Sequence, residues 1–423
     1  MRFVIRWPVS VLAILPLVLA AGCQRQGPAG PPTDTGARFG GPISGGSGDP
    51  LPMQPVLVEP DDTQFVAHVD GNADAEAIAA LLGLQVLFQV PFGNDLLVLF
   101  QGDLDTDVND IRGVSGIESA DSNRRVYLAE TQSLVVGFYE GEWTTDDVEG
   151  QSPLAPLRLD LCHQLSTGAG ARVAVLDTGV DPQHSLLAGA LELLPPGGGL
   201  ESHELPNGLD DDEDGVIDEA YGHGTHVAGI VRQVAPDATI IPIRVLTAEG
   251  YGSLWDIMRG LRLAEELQAD AVNLSLSLSA PLDVIDHGLW LLSDAGIAVV
   301  AAAGNAGPAE PKYPATSALV FGVAASAADS LADFSGAGSD LVIAAPGVAV
   351  LSAYPGEALA WASGTSMATP VVSASVALVQ SERGLSPKFA ARALVENADE
   401  LEPRGIIAGG RVAPLYALVA GGR

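Results

Sequence analysis

Apolar positions along the chain follow two rhythms. Gln64-Phe65-Val66-Ala67-His68-Val69 predicts a strand, and Ala73 to Leu82 has the composition of a helix. Two further apolar runs, Leu84 to Val90 and Asp95 to Phe100, flank a turn signal at Phe92-Gly93-Asn94. Asp103 to Arg112 predicts a second helix and Gly116 to Ser119 a last short strand. From about Trp143 strands and helices alternate. Arg172-Val173-Ala174-Val175-Leu176 reads as a buried strand, as does Ile240 to Leu246. Leu254 to Gln268 is helical, Ala271 to Leu278 a strand, Val284 to Ala295 helical and Ile297 to Ala303 a strand. A strongly apolar helix, Ser366 to Gln380, comes late.

The first block has the order β-α-β-β-α-β, that of a small α+β ferredoxin-like unit. It carries no chemistry of its own, since its one histidine, His68, has no metal-spaced partner. The second block predicts an α/β fold of three layers, a mainly parallel sheet with helices on both faces. Sites in such sheets assemble at the strand ends.

Ahead of both blocks, Arg2 and Arg6 precede an apolar stretch from Trp7 to Ala21. These fifteen residues fall short of the roughly twenty that a membrane-crossing helix needs. A basic start, apolar middle and small-residue exit read as a secretory signal. It ends in Leu19-Ala20-Ala21-Gly22-Cys23, which resembles the lipobox of bacterial lipoproteins. That resemblance implies removal of residues 1–22, lipid on Cys23 and attachment to a membrane of the bacterial cell envelope. From Gln24 to about Pro60 the chain turns to Gly, Pro, Ser and small polar residues, the composition of a flexible tether. The expected organisation is a signal at 1–22, a tether at 23–60, a small domain at 61–130 and a large one at 143–423.

Composition narrows the partners. With 53 acidic residues against 20 Lys and Arg, the net charge is −33, which repels nucleic-acid phosphates and anionic headgroups. Nucleic acid is therefore not expected as a partner, and any hold on a membrane must come from lipid. Two cysteines, Cys23 and Cys162, exclude a disulfide scaffold. Cys162 reads as a small buried hydrophobe.

Four motifs stand at predicted strand ends and helix starts. Val173 to Leu176 runs straight into Asp177-Thr178-Gly179. Gly222-His223-Gly224-Thr225-His226 opens a helix, and Ala303-Gly304-Asn305-Ala306-Gly307 closes a strand with a side-chain amide. Ser363-Gly364-Thr365-Ser366-Met367-Ala368-Thr369-Pro370 puts Ser366 at a helix start, where unpaired N–H groups favour an anion. Separately each is weak: a turn, an N-cap, a pair of histidines without a third ligand. Together they supply orienter, base, oxyanion donor and nucleophile, in the chain order Asp, His, Ser. Here the sequence resembles the subtilisin-like serine peptidases, or subtilases, from about Gln151 to Ala420. Val234-Ala235-Pro236, Ile243-Arg244-Val245-Leu246, Asn273-Leu274-Ser275-Leu276, Tyr313-Pro314-Ala315, Phe334-Ser335, Ala345-Pro346-Gly347-Val348 and Gly410-Arg411-Val412 follow in the family's order.

The resemblance implies an endopeptidase acting on polypeptides. Ser366 would attack, His223 accept and return the proton, and Asp177 hold the imidazole. The oxyanion would lie between the Asn305 amide and the Ser366 N–H. The strand around Ser275, Leu276 and Ser277, with Gly304, would take an extended substrate. Relatives usually read Ser-Leu-Gly-Gly there; this chain has Ser277 and Leu278 for the glycines, so no cleavage preference is read. The position of the small block implies a propeptide that assists folding and covers the cleft, with room for a maturation cut between Arg124 and Trp143.

Asp210 to Glu219 crowds seven acids into ten residues. Counted from Asp210, ligand positions one, three, five, seven and nine of a calcium loop fall on Asp210, Asp212, Asp214, Val216 and Asp218, with Gly215 at six. Position twelve is Tyr221 where a bidentate Glu is expected, so Asn207 or Glu219 would have to complete the shell. All-oxygen ligands select Ca²⁺ over zinc. Two rival readings differ in class: a catalytically silent subtilase scaffold that binds calcium or serves adhesion, and a general esterase. Intact Asp177, His223, Asn305 and Ser366 argue against the first, and the extended substrate strand against the second.

Overall fold

The computed structural model describes residues 57–129, 136–139, 143–195, 200–211, 215–402 and 407–420. The small domain holds β1 (Gln64–Asp70), α1 (Ala75–Leu82), β2 (Gln85–Phe92), β3 (Asp95–Gln101), α2 (Val108–Arg112) and β4 (Ile117–Ser122). Its sheet runs β2-β3-β1-β4, antiparallel throughout, as the β-α-β-β-α-β order requires. The helix expected from Asp103 begins only at Val108. Asp107 caps it by accepting from Asn109 N at 2.8 Å, and Asp103 turns back on Thr106.

Side-chain alternation gives this sheet two apolar faces. Phe65, Ala67 and Val69 pack with Ile78, Ala79 and Ile111 of the domain's own helices. Val66, Leu97 and Leu99 instead join an apolar cluster containing Trp255, Met258, Leu261 and Leu289 of the large domain. The period of two thus builds a core on one face and a domain joint on the other.

Next come β5 (Arg125–Leu128), β6 (Val136–Phe138), α3 (Thr145–Glu149), α4 (Leu159–Cys162) and β7 (Arg172–Asp177). They lead into α5 (His223–Val234), β8 (Thr239–Arg244), β9 (Tyr251–Ser253), α6 (Leu254–Glu266), β10 (Ala271–Leu274) and β11 (Leu276–Ser277). The chain continues through α7 (Asp283–Asp294), β12 (Ala298–Ala302), β13 (Phe321–Ala327), β14 (Ser330–Leu331) and β15 (Ile343–Pro346). It closes with β16 (Val350–Tyr354), β17 (Ala358–Ala362), α8 (Thr365–Arg383), α9 (Pro387–Glu396) and α10 (Pro414–Val419).

The central sheet has the order β14-β13-β12-β10-β7-β8, with β15 also on β13, and is parallel except for β14. Alternation again sorts its side chains. Val173 and Val175 belong to the cluster of α5 and α8, Ala174 and Leu176 to that of α6 and α7. This is the three-layer α/β arrangement that the strand–helix alternation predicts. One expected strand is divided: Ala271 to Leu274 stays in the central sheet, whereas Leu276 and Ser277 leave it and pair with β5. Ser275 is the hinge between them, held by its own hydrogen bonds.

Candidate active site

Asp177 is the last residue of β7 and is fully buried. Its Oδ1 accepts from Thr178 N at 2.8 Å and lies 2.7 Å from His223 Nδ1. His223 opens α5, also fully buried. Such close packing of a helix start against a strand end requires glycine. A Cβ on Gly224 would come within 2.0 Å of Gly179 O and 3.1 Å of Asp177 Oδ1.

A residue that no motif singled out ties these two elements together. Glu204 Oε1 accepts from Thr178 Oγ1 at 2.5 Å and from Gly222 N at 2.6 Å, and its Oε2 accepts from Thr225 Oγ1 at 2.5 Å. Thr178 Oγ1 in turn accepts from Gly224 N at 2.9 Å. The bonds therefore bracket His223 on both sides. Burial pushes the Glu204 carboxyl up to about 7; its three hydrogen bonds oppose the rise and the nearby Asp177 charge adds to it. Nothing in the spacing of Ser202-His203-Glu204 signals this role, because its partners lie elsewhere along the chain.

Ser366 is the second residue of α8 and is fully buried. Its Oγ donates to Ser275 O at 3.1 Å, and Ser275 Oγ donates back to Ser366 O, also at 3.1 Å. The second bond follows from the sequence. Pro370 has no N–H to give to the carbonyl four residues earlier, so Ser366 O is left for another donor. Ser275 Oγ also accepts from Asn273 Nδ2 at 3.0 Å. Asn305 follows β12, and its Oδ1 accepts from Thr365 N and Thr365 Oγ1, each at 3.0 Å. A backbone N–H can only donate, so the amide oxygen takes that side and Nδ2 faces the other way. Gly304 N donates to Thr365 Oγ1 at 3.1 Å, which locks the same turn.

The expected substrate strand is already paired with the chain's own β5. Tyr127 pairs with Ser277 and Leu128 with Leu276 on one side, while Arg125, Val126 and Tyr127 pair with Ser253, Gly252 and Tyr251 on the other. Leu128 N donates to Gly250 O at 2.8 Å. Val126 and Leu128 are buried, whereas Tyr127 is exposed and the Arg125 guanidinium lies 4.1 Å over the Tyr251 ring. One residue further, Ala129 N donates to Ser275 O at 3.4 Å. That oxygen is the one that accepts from Ser366 Oγ.

The acidic loop is described in part: Asp212 and Asp214 lie outside the described residues, as does Cys23. Asp210 Oδ2 accepts from Gly215 N at 2.9 Å, and Gly215 has φ +92, the tight turn that position six of such a loop requires. Asp218 is buried and accepts Asn207 N at 3.0 Å on Oδ1 and Gly208 N at 2.8 Å on Oδ2. Those bonds make it a holder of the loop. Glu249 accepts from Asp218 N at 2.7 Å, and its carboxyl is raised by burial and by the neighbouring Glu219. Among the other titratable groups, Cys162 is a free, buried thiol pushed up to about 11 by burial, hence unreactive. His226 Nε2 faces Ala360 O at 3.0 Å and Val350 O at 3.2 Å, and burial lowers it to about 3; its role is packing.

A model of the subtilase family matches residues 168–409, a span that contains Asp177, His223, Asn305 and Ser366. Over 225 residues the chain is 37% identical to "Subtilisin BL" of Lederbergia lenta, covering 51% of this chain and 77% of that one. It is 35% identical over 252 residues to "Thermitase" of Thermoactinomyces vulgaris, covering 57% of this chain and 85% of the relative. The crystal structure of fervidolysin from Fervidobacterium pennivorans, described as a keratinolytic enzyme related to subtilisin, shares the fold. Its TM-score is 0.68 at 22% identity, over 85% of this chain and 61% of that one. A buried Asp–His pair at strand and helix ends, with a serine at the start of the long apolar helix and a family match across all of them, makes this chain a member of the subtilase family and a serine endopeptidase.

Proposed function

We propose that the chain is an exported, lipid-anchored endopeptidase that works through Asp177, His223 and Ser366 and is made as a latent precursor. Ser366 Oγ attacks the scissile carbonyl while His223 takes its proton and later gives it to the leaving amine. Asp177, hydrogen-bonded to His223 Nδ1, keeps the proton on that nitrogen and the other nitrogen turned to its task. The Asn305 amide and the Ser366 N–H at the start of α8 stabilise the oxyanion. The small domain acts as propeptide, with β5 lying in the cleft as a substrate would.

The observation that carries this reading is the convergence on Ser275 O. Ser366 Oγ and Ala129 N both bond to it, at 3.1 Å and 3.4 Å. The next carbonyl along the chain from that N–H is Ala129's own, which makes Ala129–Glu130 the bond offered for self-cleavage. Val126 and Leu128, both buried, would then be the side chains that anchor the segment, and Ala129 would stand at the cut. Lipid on Cys23 would hold the residues N-terminal to the cut at the membrane, so cleavage would also free the catalytic domain unless the two stay docked.

Calcium belongs to the same reading. The Asp210–Gly215 turn fits a calcium loop, and Asp210, Asp212 and Asp214 with the Val216 carbonyl are the oxygens that would hold the ion. Its charge would offset the mutual repulsion of the acids. Asp218, at position nine, is the remaining ligand of that set: each of its oxygens accepts one backbone N–H and keeps a lone pair for the ion. The experiment is N-terminal sequencing of purified wild type beside Ser366→Ala. Wild type yields a chain beginning at Glu130, and the variant remains whole and inactive on peptides. Equal processing or equal peptide turnover in the two would overturn the assignment.

A further inference from the structure

The joint between the small domain and the catalytic domain holds a second cluster of chemistry-bearing side chains. His68 lies on the face of β1 that joins the large domain. It pairs with Leu97 on β3, and Asp95, two residues earlier, projects on the same face. From the large domain α7 brings His287, whose Nε2 is 2.8 Å from Asp95 Oδ2. The His68 and His287 rings are 4.4 Å apart, centre to centre. One ligand atom from each of the three residues lies within 4.8 Å of the others.

His68 is the informative member. Its accessibility is 0%, and among the described residues neither ring nitrogen meets strict hydrogen-bonding geometry, the Val284 backbone making only a marginal contact with the ring. A buried imidazole without bonds is costly unless something else takes its lone pair. Phe92 stands 5.4 Å from His68 and Trp290 5.8 Å from His287, an apolar sheath on either side. On the open side is a cavity of about 740 Å³ whose wall includes Asp95 and His287 together with Asp70, Glu118, Glu265 and Asp294. Acids of one sign around a cleft draw cations into it.

We propose that His68, Asp95 and His287 form a transition-metal site of the zinc class that staples the small domain to the catalytic domain, with water from the cavity as fourth ligand. Two imidazoles and one carboxylate suit zinc, and are the wrong donors for calcium. Ligand bonds of about 2.0–2.2 Å at tetrahedral angles put ligand atoms roughly 3.3 Å apart. The Asp95–His287 pair need only open by about half an ångström, and the His68 ring close in. Because the ligands come from both domains, the ion binds the docked form and not the separated one, so metal strengthens docking by mass action.

The test uses the full Ser366→Ala chain, which stays joined whether or not self-cleavage occurs, in calcium-saturated buffer so that the acidic loop is filled. Titration with Co²⁺ should give a tetrahedral ligand-field band that saturates at one equivalent and is displaced by Zn²⁺, and Zn²⁺ should raise the melting temperature. His287→Gln, on a partly exposed helix face, should weaken binding by more than about tenfold. Asp294→Asn, on the cavity wall but outside the ligand set, should leave the band in place. His68→Gln should abolish the band, provided its metal-free melting matches the parent; if it does not fold, His287→Gln alone decides. No band at one equivalent, or a band undiminished in His287→Gln, overturns the site.

Discussion

At the scale of single residues, Ser275 joins the parts of the site. Its carbonyl takes the Ser366 hydroxyl and the Ala129 N–H, and its own hydroxyl replaces the hydrogen bond that Pro370 cannot give. Asn305 depends on a comparable anchoring, with Thr365 fixing which end of the amide donates. Asn305→Ala should therefore cut peptide turnover by about 10²–10³-fold, the cost of about 2.7–4 kcal/mol known for such a donor in a subtilisin. Turnover within a few-fold of wild type would remove it from the oxyanion site. Glu204 gives a pH signature. Its carboxyl stands at about 7 in the fold against an ordinary 4.5, so between those values the folded state holds more proton than the unfolded one. Stability from this group is complete below about pH 4.5 and is lost as pH rises through 7, on the order of 3 kcal/mol in all. Glu204→Gln, which cannot ionise, should lose less melting temperature between pH 4.5 and 7 than wild type does. Parallel curves for the two proteins would show that the carboxyl does not titrate in that window.

At the scale of elements, strand period and strand edge carry the design. Alternation along β1 and β3 gives the small domain one face for its own helices and one for the large domain. At β5 the same alternation buries Val126 and Leu128 while Tyr127 faces out, so what β5 contributes at Tyr127 is backbone pairing to both β9 and β11. Tyr127→Pro removes that N–H and a ladder position without touching a buried side chain. The variant's small domain should release from the catalytic domain more readily, seen as earlier onset of peptidase activity after folding. If latency is as long as in wild type, β5 does not act as the cleft-covering strand.

At the scale of the whole molecule, charge is the dominant fact. A net −33 is self-repelling, and the densest acid lies in the loop Asp210 to Glu219 that leads into His223. A calcium ion there would remove repulsion in the segment that leads into His223. Chelation with EGTA should lower the melting temperature and the peptidase rate together, and calcium should restore both. A melting curve indifferent to EGTA and to added calcium would leave the loop as a solvated acidic turn. Restoration by calcium alone after EGTA, and the cobalt titration in calcium-saturated buffer, separate this loop from the His68–Asp95–His287 joint.

What the amino-acid order alone determines here is what local chemistry can encode. Asp177 at the end of an apolar run, His223 between glycines, Asn305 in a Gly-Asn turn and Ser366 ahead of a long apolar helix are legible because each motif carries its own strand end or helix start. The α/β class and the β-α-β-β-α-β order follow from hydrophobic period in the same way. The tertiary structure decided what depends on long-range meeting. Glu204 becomes a clamp only when Thr178, Gly222 and Thr225 converge on it. The run Ala271 to Leu278 breaks at Ser275 because Leu276 and Ser277 find β5, a segment whose partners lie far along the chain. His68 has no partner by spacing: the β1–β3 pairing sets Asp95 near it, and His287 joins only from α7 of the large domain. Periodicity reports which face of an element is buried; it does not report what is buried against it.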